Sequence, residues 1–336
     1  MRILAIETSC DETAIALTEA TGSLNPQAGG PKFKVLKSAI ASQIKIHRPF
    51  GGVVPSLAKR EHQKNLPLVL KKVVKEKDIS DIDLIAVTIG PGLEPALWQG
   101  ISFAEDLSHA WGKPLIGVNH LEGHIYSNWI TSKEKPKLPA ICLIVSGGHT
   151  ILTLMKNLTS WKILGATRDD AVGEAFDKVA RMLNLPYPGG PEIEKLAEKG
   201  KANIDFPRPM LHSKDFDFSF SGLKTAVLYY VRDHKKINKA DACASFQESA
   251  FTPLIYKSLS SAKKFKAKSI LLCGGVASSR ALRKLFKKET KKAELNFYAP
   301  SFKLNTDNAS MISAAAYINF LKKKNQLLRA DGSLGV

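Results

Sequence analysis

Cysteine is scarce in this chain. Cys10, Cys142, Cys243 and Cys273 are the only four among 336 residues. They are widely spaced, three lie in apolar runs, and no CxxC pair exists. Neither a disulfide framework nor a zinc–thiolate site is expected; buried thiols in a reducing cytoplasm are. Long apolar runs are lacking too. None reaches the roughly 18 residues that a membrane-spanning helix needs. Residues 1–7 do not show the charged-then-apolar layout of a secretory signal, so a cytoplasmic setting is expected. No GxxxxGK followed by Ser or Thr is present, which excludes a P-loop, and no GxGxxG follows a strand, which disfavours a dinucleotide site. Acidic residues are outnumbered, 31 against 49 Lys and Arg.

That imbalance gives a net charge of +18. A positive field of this size suits a polyanionic substrate or partner. Solvated Lys on the surface is the plain alternative, and the excess of Lys over Arg lends it some support. Basic runs fall at 71–77, 133–137, 235–239, 263–268, 284–292 and 322–324, too dispersed to assign to one face.

The length suits two lobes, each with its own core. Strands alternate with helices, which indicates the α/β class. Residues 2–7 and 14–18 read as strands joined by the polar turn Thr8-Ser9-Cys10-Asp11-Glu12-Thr13. A Gly/Pro/Asn-rich loop over 21–31 follows, then a strand near 35–38. The pattern continues with a helix over 60–77, a strand over 84–89 ended by Gly90-Pro91-Gly92, a helix over 97–111, and a strand over 115–118. That strand runs directly into a helix over 119–129. A second strand–turn–strand covers 141–145, the turn Ser146-Gly147-Gly148-His149, and 150–155. It echoes the first and suggests two similar halves. Helices at 174–183, 245–259, from 279, and 308–323 complete the pattern, with a strand at 269–272.

His120 and His124 stand four residues apart, so a helix places both imidazoles on one face, where they can share a metal ion. With 8 histidines in 336 residues, chance yields such a pair in about a fifth of chains, so a third ligand is needed. Leu121 stands where a zinc protease of the HExxH type has glutamate, and Glu122 comes one position too late. Asp307, just before a helix, supplies a carboxylate, with helix capping as its alternative role. Two His and one Asp make a mixed nitrogen–oxygen site with open positions, suited to one divalent ion, Fe(II) or Zn(II). Gly147-Gly148 and Gly274-Gly275 each follow a strand and permit close approach of a phosphate or adenine, with Gly189-Gly190 between them. Each alone is an ordinary tight turn. Asp11 and Glu12 form a carboxylate pair fit for proton transfer or simply a charged turn facing solvent. Asp177, on a helix, can meet a ribose or pair with Lys178 or Arg181.

Taken in order, these segments resemble one family. Residues 3–13 resemble its opening signature, and His120-Leu121-Glu122-Gly123-His124 its metal motif. Residues 145–150, 173–178, 187–191, 218–225 and 306–309 follow in family order, so the likeness covers about 2–320. The chain resembles the universal tRNA adenosine threonylcarbamoyltransferases, formerly described as sialoglycoprotein endopeptidases. The resemblance implies a two-lobed fold of the actin/Hsp70/sugar-kinase (ASKHA) type with a central cleft. The lobes are expected at 1–135, with 305–330 packing back on it, and at 136–304. It implies metal ligands at His120, His124 and Asp307, and substrate contacts at Val145, Ser146, Gly147, Gly148, His149, Asp177 and Gly190. The contact after the Gly-Gly-Val turn falls on Ser279, where the family has Asn. Ser56 stands where the family commonly has Glu, and the 21–31 loop is longer than usual. The implied activity moves a threonylcarbamoyl group from threonylcarbamoyl-AMP to the exocyclic amine of adenosine 37 in tRNAs reading ANN codons, with Asp11 or Glu12 accepting the proton. The implied partners are tRNA, a paralogous subunit of the same fold and a small ATPase, with no membrane. An ATP-binding regulatory or kinase-like member of the fold is the alternative; it would keep the glycine turns and need no histidine pair.

Overall fold

The computed structural model describes residues 1–25, 29–131, 134–324 and 326–335. Residues 26–28 of the 21–31 loop, and Lys133 of the basic run 133–137, lie outside them. The chain divides into two compact units, 1–135 with 300–336, and 136–299.

The first unit opens with β1 (Arg2–Glu7), β2 (Glu12–Thr21) and β3 (Lys32–Ser42). They form an antiparallel meander in which Ala5 faces Ala16 and Ala16 faces Ser38. Short α1 (Ile44–His47) leads to α2 (Pro55–Val73), whose first-turn proline is pre-set for a helix. Then come β4 (Leu84–Gly90), α3 (Glu94–Trp111), β5 (Leu115–Asn119), α4 (His120–Tyr126) and α5 (Asn128–Thr131). β4 joins β1 and β5 joins β4, both in parallel, giving the order β3-β2-β1-β4-β5. All seven residues of β4 are buried, as a central parallel strand requires. Leu4, Ile6 and Val87 pack with Leu66, Val69, Leu97 and Ile101 into one core.

The second unit repeats this plan. β6 (Ala140–Val145), β7 (Thr150–Asn157) and β8 (Ser160–Ala166) form the meander. α6 (Val172–Met182), α7 (Gly189–Ala197), α8 (Ser221–Asp233) and α9 (Lys239–Lys264) follow. β9 (Ser269–Cys273), α10 (Arg280–Lys292) and β10 (Asn296–Tyr298) close the unit. Its sheet order, β10-β9-β6-β7-β8, matches the first when strands are counted by their place in each unit. The echo seen in the sequence is thus an identity of topology. The core here is aromatic: Phe176 packs against Phe246 and Phe251, within a cluster that includes Phe206, Phe218 and Phe286.

The last helix, α11 (Ala309–Leu321), belongs to the first unit. It is buried from Ala309 to Asn319, so it is apolar on every side rather than on one stripe. Among the described residues, no helix is long and apolar enough to cross a membrane.

Sequence reading placed Gly189 and Gly190 in a turn; they instead open α7. Gly189 sits so near α6 that an added Cβ would meet Ala180 Cβ at 2.4 Å. β8, β10, α7 and α8 were not read from the sequence. Among the Gly-Gly pairs 147/148, 189/190 and 274/275, Gly274 is the one with a left-handed φ. Its φ is +93°, and a Cβ there would lie 2.4 Å from the Val145 carbonyl oxygen. Gly274→Ala is expected to destabilise the chain by about 2 kcal/mol or more. A shift of the denaturant midpoint at unchanged secondary structure checks this.

Candidate functional site

β5 ends at Asn119, and the Asn119 side chain starts the next helix. Its Oδ1 accepts from the Leu121 and Glu122 amides at 2.8 and 3.3 Å. α4 therefore begins at His120, and His124 follows one turn later. Their rings sit 4.6 Å apart, centre to centre, at 84°. Asp307 comes from the far end of the sequence, just before α11. It does not cap that helix; Asn308 does, with Oδ1 accepting from the Met311 amide at 3.1 Å. The Asp307 carboxylate is left to face the histidines. Its Oδ1 is 3.4 Å from His120 Nε2 and 3.3 Å from His124 Nε2.

These three ligand atoms lie within 4.8 Å of one another. Donors about 2.0–2.1 Å from one tetrahedral ion stand roughly 3.3 Å apart. His124 is fully buried, yet neither of its ring nitrogens makes a hydrogen bond. Its approach to Asp307 has the distance of a contact without the alignment of a hydrogen bond. Buried polar atoms are rarely left so. Lone pairs aimed at a shared point, rather than at each other, fit a metal ion. No other group of three such residues capable of holding an ion occurs among the described residues.

One residue that sequence reading missed completes this cluster. Glu7, at the end of β1, is fully buried. Its Oε2 accepts from Thr88 Oγ1 at 2.6 Å and from His120 Nδ1 at 3.0 Å, and its Oε1 accepts from the Ser9 amide at 2.6 Å. A carboxylate can only accept, so His120 Nδ1 carries a proton and Nε2 is the atom turned toward Asp307. Burial alone would raise the Glu7 carboxyl; the His120 charge and hydrogen bond overcome it and hold the carboxyl below its ordinary range. Burial likewise opposes the His120 imidazolium, and the Glu7 and Asp307 charges outweigh it, so its pKa stands well above normal. His124 goes the other way, lowered by burial. Asp307 is lowered despite burial, by His120 first and then His124. A cation held here would compete with a proton for His120 Nε2.

The Asp11–Glu12 turn lies in the same unit. His62 fixes it: Nε2 lies 3.0 Å from the Cys10 carbonyl oxygen and Nδ1 2.8 Å from Thr13 Oγ1. A carbonyl only accepts, so Nε2 donates to it and Thr13 donates to Nδ1. Asp11 is buried, and its Oδ2 has no hydrogen-bond partner. Glu12 is pushed up to about 10, by burial first and then by the Asp11 and Asp307 charges. The carboxylate pair is therefore not a solvated surface turn.

The remaining expected residues lie in the second unit. Val145 ends β6, and Ser146 to His149 form a closed turn in which the Ser146 amide donates to the His149 carbonyl at 2.8 Å. The His149 amide donates to Ser146 Oγ at 3.0 Å. Gly147, Gly148, Gly190 and Gly275 have no heavy atom within 4 Å of a built Cβ, and none has a left-handed φ. Packing and backbone geometry thus give no reason for glycine at these four positions, and each leaves the backbone open on one side. Asp177 is held, its Oδ1 accepting from the Gly189 amide at 2.7 Å. Ser279 caps α10 by accepting from the Leu282 amide at 3.1 Å, and its hydroxyl donates to Glu194 Oε1 at 2.9 Å.

Two outcomes follow from the first-unit geometry. Glu7→Gln keeps the shape but loses the charge behind His120, and Zn(II) affinity is expected to fall by about 10- to 100-fold, read by chelator competition. Glu12 has a folded pKa raised above its unfolded value, so its contribution is full below the unfolded value and is lost as pH climbs toward about 10. Glu12→Gln should therefore raise the melting temperature of the metal-free protein at pH 8 and flatten its decline with pH. An unchanged melting curve would refute the burial of that carboxyl.

The model of one family, tRNA N6-adenosine threonylcarbamoyltransferase, matches residues 34–314. A protein of that name from Moorella thermoacetica is 48% identical over 328 residues, covering 96% of this chain and 92% of its own. Its namesake from Thermosipho africanus is 49% identical, covering 94% of each chain. Among solved structures, HypF of T. kodakarensis superposes with a TM-score of 0.60 at 14% identity, over 96% of this chain and 47% of its own. The activator of 2-hydroxyisocaproyl-CoA dehydratase from Clostridium difficile gives 0.53 at 12% identity, over 96% of each. The structural likenesses show the fold, that of the actin/Hsp70/sugar-kinase class, and the sequence likenesses show more: the chain belongs to the tRNA N6-adenosine threonylcarbamoyltransferase family.

Proposed function

We propose that the chain transfers the threonylcarbamoyl group from threonylcarbamoyl-AMP to the exocyclic amine of adenosine 37 in tRNAs that read ANN codons. The observation that carries the reading is the convergence of His120, His124 and Asp307, with both nitrogens of a buried histidine free of hydrogen bonds. A divalent ion held by these three would act as a Lewis acid on the substrate carbonyl. Fe(II) and Zn(II) both suit two imidazoles and a carboxylate.

The chain's own residues supply the rest. Glu7 aims His120 through Nδ1. Gly147, Gly148, Gly190 and Gly275 give the open backbone on which the adenylate rests, with Val145, Ser146, His149 and Asp177 beside them; Ser279 presents its hydroxyl at the end of the Gly-Gly-Val turn. The amine nitrogen of adenosine 37 bonds to the carbamoyl carbon, the bond from that carbon to the phosphate oxygen breaks, and AMP leaves. The proton lost from the amine goes to a carboxylate. Asp11, whose buried Oδ2 has no hydrogen-bond partner, is the acceptor we favour over Glu12. Adenosine 37 must leave its stack, which an anticodon loop allows at modest cost.

A polyanionic partner also agrees with α10. Arg280, Lys284, Lys287, Lys288, Lys291 and Lys292 are exposed on it, and Glu289 is its one acid, paired with Lys292 at 2.8 Å. We include a paralogous subunit of the same fold and a small ATPase as partners in a cytoplasmic setting, and expect Ser56 and the 21–31 loop to influence their docking.

Incubation with threonylcarbamoyl-AMP and unmodified tRNA, followed by mass spectrometry of the nucleosides, tests the reading. Wild type should yield threonylcarbamoyladenosine; His120→Ala and Asp307→Ala should lose about 100-fold or more in rate. ATP hydrolysis without modified nucleoside would favour a regulatory, kinase-like protein instead. tRNA affinity should fall steeply between low and moderate salt, and charge reversal at Lys284, Lys287 and Lys288 should make that dependence shallower.

A further inference from the structure

The two ligand-bearing helices are joined at a second place. His120 and His124 lie on one side of α4; Glu122, two residues from each, points to the opposite side. It is a carboxylate only 1% exposed, and it contributes nothing to the ligand cluster. Its Oε2 accepts from Asn319 Nδ2 at 2.7 Å, and its Oε1 accepts from Lys324 Nζ at 2.7 Å. Both donors belong to α11 or the turn just after it. Asp307 immediately precedes the cap of that same helix. From Ala309 to Asn319, α11 rises about 15 Å, so it meets α4 at two well-separated points.

Between these points the helices touch. A Cβ on Gly123 would lie 3.0 Å from Ile312 Cδ1 and 3.1 Å from Met311 Cγ. A close contact at one glycine leaves a pivot, and a pivot alone does not fix the crossing angle. Glu122 ties the two helices at a further point.

The chain beyond α11 is shaped for this contact. Lys323 is in the left-handed region with φ of 54°. Its amide donates to the Phe320 carbonyl at 3.0 Å, and the Lys324 amide donates to the Asn319 carbonyl at 3.0 Å. This is the Schellman ending of a helix, here with lysine where glycine is usual. It turns the chain back so that Lys324 reaches a carboxylate inside the protein. A buried carboxylate with no cation is costly, so the pair is directional: Glu122 needs Lys324 far more than Lys324, which is 40% exposed, needs Glu122.

We infer that Glu122, clamped by Asn319 and Lys324, is a positioning residue that sets the crossing of α4 on α11 and thereby the spacing of His120 and His124 from Asp307. The inference rests on the reading of those three as metal ligands. Its test is Zn(II) affinity of the metal-free full chain, by competition with a chromophoric chelator, with circular dichroism and melting temperature alongside. Lys324→Met strands the Glu122 charge and should weaken Zn(II) binding about tenfold or more. Glu122→Gln keeps one acceptor oxygen and so at most one of the two hydrogen bonds; it should weaken Zn(II) binding by less than Lys324→Met does. The double variant Glu122→Gln/Lys324→Met removes the stranded charge but not the missing arm, so it should recover only part of the affinity lost by Lys324→Met. Should Lys324→Met fail to fold, Asn319→Ala replaces it, with a smaller loss in the same direction. A drop in melting temperature with unchanged Zn(II) affinity would mean that the pair only stabilises the fold, and would overturn the inference. Wild type that binds no Zn(II) or Fe(II) would instead overturn the ligand reading itself, and the clamp with it.

Discussion

The carboxylate of Glu7 is the constraint around which the first unit is arranged. It sits at the end of a central strand with no access to water, and a charge in such a place must be satisfied on every lone pair or not be there. The chain satisfies it from three directions: the Ser9 amide from the turn after β1, the Thr88 hydroxyl from β4, and His120 from the start of α4. The consequence runs outward. Because Glu7 takes the Nδ1 proton, the other face of His120 is directed, and because α4 is rigid, His124 is directed with it. An imidazole on a surface helix would rotate freely; this one has its plane fixed, with Nδ1 committed to Glu7. That is preorganisation by a second layer of contacts, and it brings side chains from distant parts of the sequence to face one another.

Repetition of one topology explains where the chemistry lies. Each unit has the same five-stranded order, and in each the first two strands are joined by a short turn. In the first unit that turn carries Ser9 and Asp11, with Glu12 opening the next strand; in the second it carries Ser146, Gly147, Gly148 and His149. The same backbone position has become carboxylate-rich in one half and glycine-rich in the other. Carboxylates there suit cations and proton transfer, whereas bare backbone suits a nucleotide. The fold supplies two equivalent turns, and their side-chain content alone sets them apart.

Much of this was legible in the sequence, for identifiable reasons. Every central strand is an apolar run, so β1, β4, β6 and β9 declared themselves. The four-residue spacing of His120 and His124 is a helical statement, and it became true because Asn119 caps the helix where it does. Glu7 was not legible: a lone acid after Ile3, Leu4, Ala5 and Ile6 looks like the polar end of a strand, and its value appears only when β4 and α4 close over it. α7 was hidden because it begins Gly-Gly-Pro, which reads as a turn until the contact of Gly189 with α6 is seen. β8 and β10 were hidden by exposure, since partly solvated strands lack both a continuous run and a clean alternation. α9 extends beyond its apolar pattern at both ends, capped at its start by Asn238, whereas α2 starts early at Pro55 and stops at Val73, four residues short of the expected end, because Val74 is extended.

Ser279 shows how far a single substitution can be argued from contacts. A serine hydroxyl has one proton and two lone pairs. Here the proton goes to Glu194, and one lone pair takes the Leu282 amide. One acceptor position is left. As the hydroxyl stands, a ligand meeting it must donate, which suits a ribose hydroxyl or an adenine amine and disfavours a phosphate oxygen. An asparagine at the same place would bring an amide donor as well as an acceptor, so the serine narrows what this turn can recognise while keeping the helix cap intact.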